Sequence, residues 1–170
     1  MLSDVRFRLP LLLLFAVVVH TTLLPNVRIA GVMPDLMLLV AVCAGLEAGA
    51  SYGAAVGFAS GMLADLLLPT PLGLSALVFT LTGYAVGLAK AGLVRDVWWF
   101  PVIVAFVASS VGEGAFAAVG WVIGEEGLVN THLSTIMLVV GSFNAVMAPA
   151  VLRVVRWSLA GREPARAYAE

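Results

Sequence analysis

The sequence is poor in charge. Only 11% of its 170 residues are Asp, Glu, Lys or Arg, against about 25% in soluble domains. It has one cysteine, Cys43, and two histidines, too few to build a zinc site of standard type without carboxylate help. Cys43 sits in an apolar run, is expected to be an inert small core residue, and does not report the redox compartment. No Gly-rich phosphate loop with a following Lys is present, and no serine has the Gly-x-Ser-x-Gly setting of a nucleophile elbow. The His-poor composition leaves no convincing base near any serine, and neither an enzyme nor a cofactor is expected. A net charge of −1 does not argue for or against acidic or nucleic-acid partners, and no nucleic acid is expected.

What is abundant is apolar. Hydrophobic residues make up 62% of the chain, and the mean hydropathy is +1.07. Both values are those of an integral membrane protein, and 170 residues make one domain of ordinary size. The apolar runs predict an all-α, polytopic domain over residues 1–170, with six transmembrane helices near 9–24, 34–46, 52–68, 73–89, 98–123 and 132–157. The basic start followed by an apolar run is similar to a secretory signal. The run is long for one, and Pro25-Asn26-Val27-Arg28 offers no small-x-small cleavage site, so a retained first helix is expected. One helix from Pro34 to Leu68 would be about 52 Å long at 1.5 Å per residue. That exceeds a hydrocarbon core of about 30 Å, so a tight turn over Glu47–Ser51 is expected to divide it. Pro149 should kink the last helix.

An even helix count puts both ends on one side. Arg6, Arg8, Lys90, Arg95, Arg153, Arg156, Arg162 and Arg166 then share that side, and Arg28 alone lies opposite. By the positive-inside rule both termini are cytoplasmic.

The most patterned stretch is residues 53–73. Gly53, Gly57, Gly61 and Asp65 recur every four residues, on nearly one helix face. Such a small-residue ridge lets another backbone approach closely, and Pro69 and Pro71 end the helix. Charges in a bilayer cost about 2.5–3.5 kcal/mol each on insertion scales. Asp35 and Asp65 are therefore expected at the outer membrane face, as helix caps or as a shared polar feature that His20 joins. Glu113 is the most deeply placed carboxylate, on a second ridge with Ala105, Ser109 and Ala117. A hydrogen bond from Asn144 to Glu113 is expected to join the fifth and sixth helices.

Pro34-Asp35-Leu36, then Gly57-Phe58-Ala59-Ser60-Gly61 with Asp65, then Pro71-Leu72-Gly73, resembles the MreD family of bacterial rod shape-determining proteins. The resemblance implies a non-enzymatic scaffold subunit of the cell-elongation complex in the bacterial cell membrane. Its implied partners are MreC, a single-span protein with a periplasmic coiled coil, and, through the complex, peptidoglycan synthases and actin-like MreB. Pro34, Asp35, Gly57, Gly61, Asp65, Pro71 and Gly73 are the residues expected in partner contact or packing. The family fold is similar to that of the substrate-binding subunits of energy-coupling-factor vitamin transporters. Such a vitamin-binding subunit is the alternative reading, and it should show a polar, aromatic-rich cavity near the outer face.

Overall fold

The computed structural model of the chain describes residues 5–28, 31–67, 71–90, 99–124 and 133–159. These form six α-helices: α1 Val5–Thr22, α2 Leu36–Ala48, α3 Ala50–Leu67, α4 Leu74–Ala89, α5 Phe100–Val122 and α6 Leu133–Leu159. A short 3-10 turn, Leu24–Asn26, follows α1. The helix ends differ from the expected ones by a few residues. The first helix starts earlier, at Val5, and carries Pro10 inside it. Pro34 and Asp35 precede α2, because Asp35 is its N-cap. The turn between α2 and α3 shrinks from the expected five residues to Gly49, whose φ of 89° is a conformation open to glycine without strain. Pro69, Arg95, Trp98, His132, Arg162, Arg166 and the expected polar loop over 125–131 lie outside the described residues.

Four helices, α1, α3, α5 and α6, are long and apolar enough to cross a membrane. With 13 and 16 residues, α2 and α4 measure about 20 and 24 Å, short of a hydrocarbon core of about 30 Å. The shorter of the two is the centre of the bundle. Every residue from Met37 to Leu46 is buried, and α2 touches all five other helices. A helix that is apolar on all sides suits such a position.

The tightest pair is α3 with α4. A methyl group added at Gly53 would collide with the Gly83 backbone, at Gly57 with the Phe79 and Thr80 backbone, and at Gly61 with Ser75 and Ala76. Gly45 on α2 meets the backbone at Gly83 and Gly87 in the same way. Three helices thus approach backbone to backbone, which maximises dispersion contact where lipid offers no hydrophobic drive.

Successive helices run in opposite directions, and the two ends of the bundle differ. At one end Arg8 lies over the Trp157 ring, 5.2 Å from its centroid, and donates to the Trp157 carbonyl at 3.1 Å. There too Arg156 pairs with Glu47 at 2.9 Å, and Lys90 donates to the Glu47 carbonyl. The first turns of α1 and the last turns of α6 therefore lie together. The other end carries His20, Asp35, Asp65 and Ser75.

Replacing Gly61 with Leu forces atoms into the α4 backbone, an overpacking cost of about 1–3 kcal/mol. Ala55 lies on the exposed face of the same helix. In thermal unfolding of nanodisc-embedded protein, Gly61→Leu should lower the midpoint while Ala55→Leu leaves it unchanged.

Candidate functional site

The acidic end of the bundle is built from helix termini. Asp35 adopts an extended backbone at the start of α2, and its carboxylate accepts the Leu38 N–H at 3.0 Å. That satisfies one of the amides a helix start leaves without an internal partner.

Asp65 does the same for the following helix, not for its own. It is 3% exposed, and its carboxylate accepts the N–H groups of Gly73 at 2.8 Å, Ser75 at 3.0 Å and Ala76 at 3.2 Å. The negative charge sits at the positive end of the α4 dipole, where it is favoured. Gly73 reaches this position with φ of 95°, a left-handed conformation that costs glycine little. The Pro71 carbonyl accepts the Leu74 N–H at 3.2 Å and closes the turn. So the Asp65-to-Gly73 motif is a connection in which the end of α3 holds the start of α4. Gly57 and Gly61 continue the same union along the helices.

The expected hydrogen bond between Glu113 and Asn144 is not formed. Asn144 is fully buried and donates to the Asp35 carbonyl at 3.0 Å and to Ser109 Oγ at 2.9 Å. It joins α6 to the start of α2 and to α5. The rotation of α6 presents Asn144 to Ser109, one turn short of Glu113. Ser109 shares the ridge of Glu113, so the every-fourth-residue pattern already marked its face.

Glu113 faces a different space. A cavity of about 170 Å3 lies between α1, α2, α4 and α5. Its wall includes His20, Pro34, Asp35, Ser75, Phe79, Glu113 and Phe116. His20 is 4% exposed, and neither ring nitrogen has a hydrogen-bond partner among the described residues. His20 joins Asp35 here, as its place in the first helix suggested. Glu113 joins them too, whereas Asp65 serves α4. Ser75 carried no signal in the sequence, since the α3–α4 turn alone brings it to this wall.

Two other spaces are apolar. The larger, about 600 Å3, is a groove between α4 and α5, walled by Leu81, Ala85, Ala89, Ile103, Val107 and Val111. The other, about 340 Å3, lies between α1, α2 and α6. Among the described residues no three His, Cys, Asp or Glu side chains are placed to hold a metal ion.

The family comparison decides the assignment. Residues 3–151 match the family described as rod shape-determining protein MreD. The chain belongs to the MreD family. No curated protein and no solved structure matches it, so the likeness to energy-coupling-factor subunits has no support. Membership gives this membrane protein a role in rod shape determination, in a family that is structural and not known for catalysis.

Asp65→Ala would strip the acceptor from three amides at the start of α4, whereas Asp65→Asn keeps one carbonyl oxygen. An unsatisfied buried donor costs about 1–3 kcal/mol. The alanine variant should therefore lose much more thermal stability than the asparagine variant in the same membrane mimic, and equal losses would contradict the capping role.

Proposed function

We propose that this MreD-family protein is a non-enzymatic membrane scaffold of the bacterial elongation complex. It binds the transmembrane span of an MreC-like protein and, through the complex, helps organise peptidoglycan synthases and MreB. The observation that supports this most is the family match over residues 3–151. The described residues are mostly helical, which favours partners that are met within the bilayer.

In this reading all six helices pass through the membrane. The bundle end bearing Arg8, Lys90 and Arg156 is cytoplasmic, in keeping with the positive-inside rule. The short helices α2 and α4 are accommodated by burial of α2 and by local thinning around α4. Accessibility labelling at residue 127 and at the C-terminal tail checks this orientation, because reaction of both from the same side would contradict it.

Gly57, Gly61, Asp65, Pro71 and Gly73 shape the contact instead of forming it. They fix α4 against α3, and the opposite face of α4 then becomes one wall of the groove it shares with α5. That groove is apolar, and its Ala85 and Ala89 positions leave room for a helix to approach. Pro34 and Asp35 set the start of the central helix behind it. The transporter reading calls for a larger site. The polar cavity of about 170 Å3 is well below the roughly 300–1,000 Å3 of typical small-molecule sites.

The test is co-purification with MreC from membranes, with the abundance of both proteins measured alongside. Ala85→Trp should fill the groove and deplete MreC at normal abundance, while Phe58→Ala, on the exposed face of α3, should leave recovery unchanged. Full MreC recovery with Ala85→Trp would remove the groove as the contact. Failure of the unmodified chain to recover MreC would remove the scaffold reading.

A further inference from the structure

The polar cavity has a composition that packing does not explain. It brings the carboxylates of Asp35 and Glu113 to one wall system from two different helices. Two carboxyl groups meeting in a membrane protein are costly to place, and among the residues that line the cavity His20 is the one basic side chain. His20 adds an independent sign. An imidazole that is 4% exposed, with both nitrogens lacking partners, forgoes hydrogen bonds that a buried polar group normally makes. Both nitrogens belong to a residue that lines this same space.

The available groups define what would complete them. Two carboxyl groups, the imidazole of His20 and the Ser75 hydroxyl make a surface rich in acceptors. Its complement is a cation that is rich in donors. A bare metal ion is a poor fit, since these side chains do not converge on one point. A polyatomic cation can reach several separated acceptors at once. A cavity of about 170 Å3 is far larger than the roughly 10–15 Å3 needed for a single water. Phe79 and Phe116 complete the wall, and phenyl faces attract organic cations. Guanidinium matches best, with five donors in a rigid plane and weak hydration. A primary ammonium is the simpler member of the same class.

We propose that the cavity bounded by His20, Asp35, Ser75 and Glu113 is a binding site for a guanidinium or primary ammonium group. The helix ends that form it place it toward the acidic end of the bundle, within a few turns of the helix termini. The cation is either a free solute or the head of a side chain presented by a partner protein. The proposal does not depend on the scaffold reading, because the site is complete in this chain alone.

The experiment uses the full chain in nanodiscs and methylguanidinium as the probe, with methylammonium, sodium and potassium compared at matched ionic strength. Methylguanidinium should bind saturably, in the millimolar range expected of so small a ligand, and should raise the unfolding temperature by linkage. Glu113→Gln and His20→Phe should each weaken binding at least tenfold while the unliganded unfolding temperature stays near that of the parent. Asp35→Asn preserves the α2 cap and should also weaken binding. Saturable binding that survives all three substitutions would overturn the proposal, as would an equal response to sodium, or no saturation by either organic cation. A second arm repeats the titration on the protein held in its native membrane complex. Binding to the isolated chain but not to the complex identifies a partner side chain as occupant, and equal binding to both identifies a free solute.

Discussion

The burial of α2 is the constraint on which the other helices depend. Met37 to Leu46 has no polar face to turn outward, and the helix is too short to cross a bilayer comfortably by itself. Within lipid there is no hydrophobic gain from hiding apolar surface, so helices cohere through contact density and through the few polar bonds available. The chain obtains both. Gly45, Gly53, Gly83 and Gly87 let α2, α3 and α4 meet at their backbones. Asp35, Asp65 and Asn144 then tie helix ends together with bonds that a hydrocarbon setting leaves no water to replace.

Helix number and approximate position were readable from the apolar runs, the Pro34-Asp35 start and the Gly ridge. The ridge's function as a close-packing surface was readable too, but its partner was not. Any small-residue ridge can meet a helix of its own chain or of another protein, and only the tertiary structure assigns it to α4. The centrality of α2 was hidden for a related reason. An apolar stretch surrounded by protein and one surrounded by lipid have similar composition, and neither shows a polar stripe. Asp65 looked like the end of one helix and proved to be the cap of the next, a contact set by the turn that Gly73 makes. Asn144 was singled out as a polar residue of the sixth helix, and it is fully buried there. Its choice of Ser109 and the Asp35 carbonyl over Glu113 follows from the rotation of α6, which depth along a helix cannot supply.

The two ends of the bundle have different chemistry, and that division bears on the family's role. At the end with Arg8, Arg156 and Lys90, the Glu47 carboxylate is in an ion pair with Arg156. The other end spends Asp35 and Asp65 on helix starts and leaves Glu113 and His20 around a cavity. Among the described residues little lies beyond the helices, and the surfaces they offer are apolar grooves between helices and polar ends. In a rod shape-determining protein, rigid packing of α2, α3 and α4 keeps both kinds of surface in fixed relation to each other.

Cys43 reports on the central helix without any substitution. It is the one cysteine of the chain, it lies in the middle of α2, and its exposure is 0%. A thiol-reactive fluorophore small and apolar enough to enter a detergent micelle is added to the purified protein, and labelling is followed during heating. Cysteine placed at Phe58 in a Cys43→Ala background, on a face that is 55% exposed, supplies the accessible reference. If the other helices enclose α2, Cys43 stays unlabelled until the protein unfolds, and it then reacts in one cooperative step. Labelling of Cys43 in the folded protein at the rate of the reference cysteine would show that α2 faces the surroundings and would contradict this account of the fold.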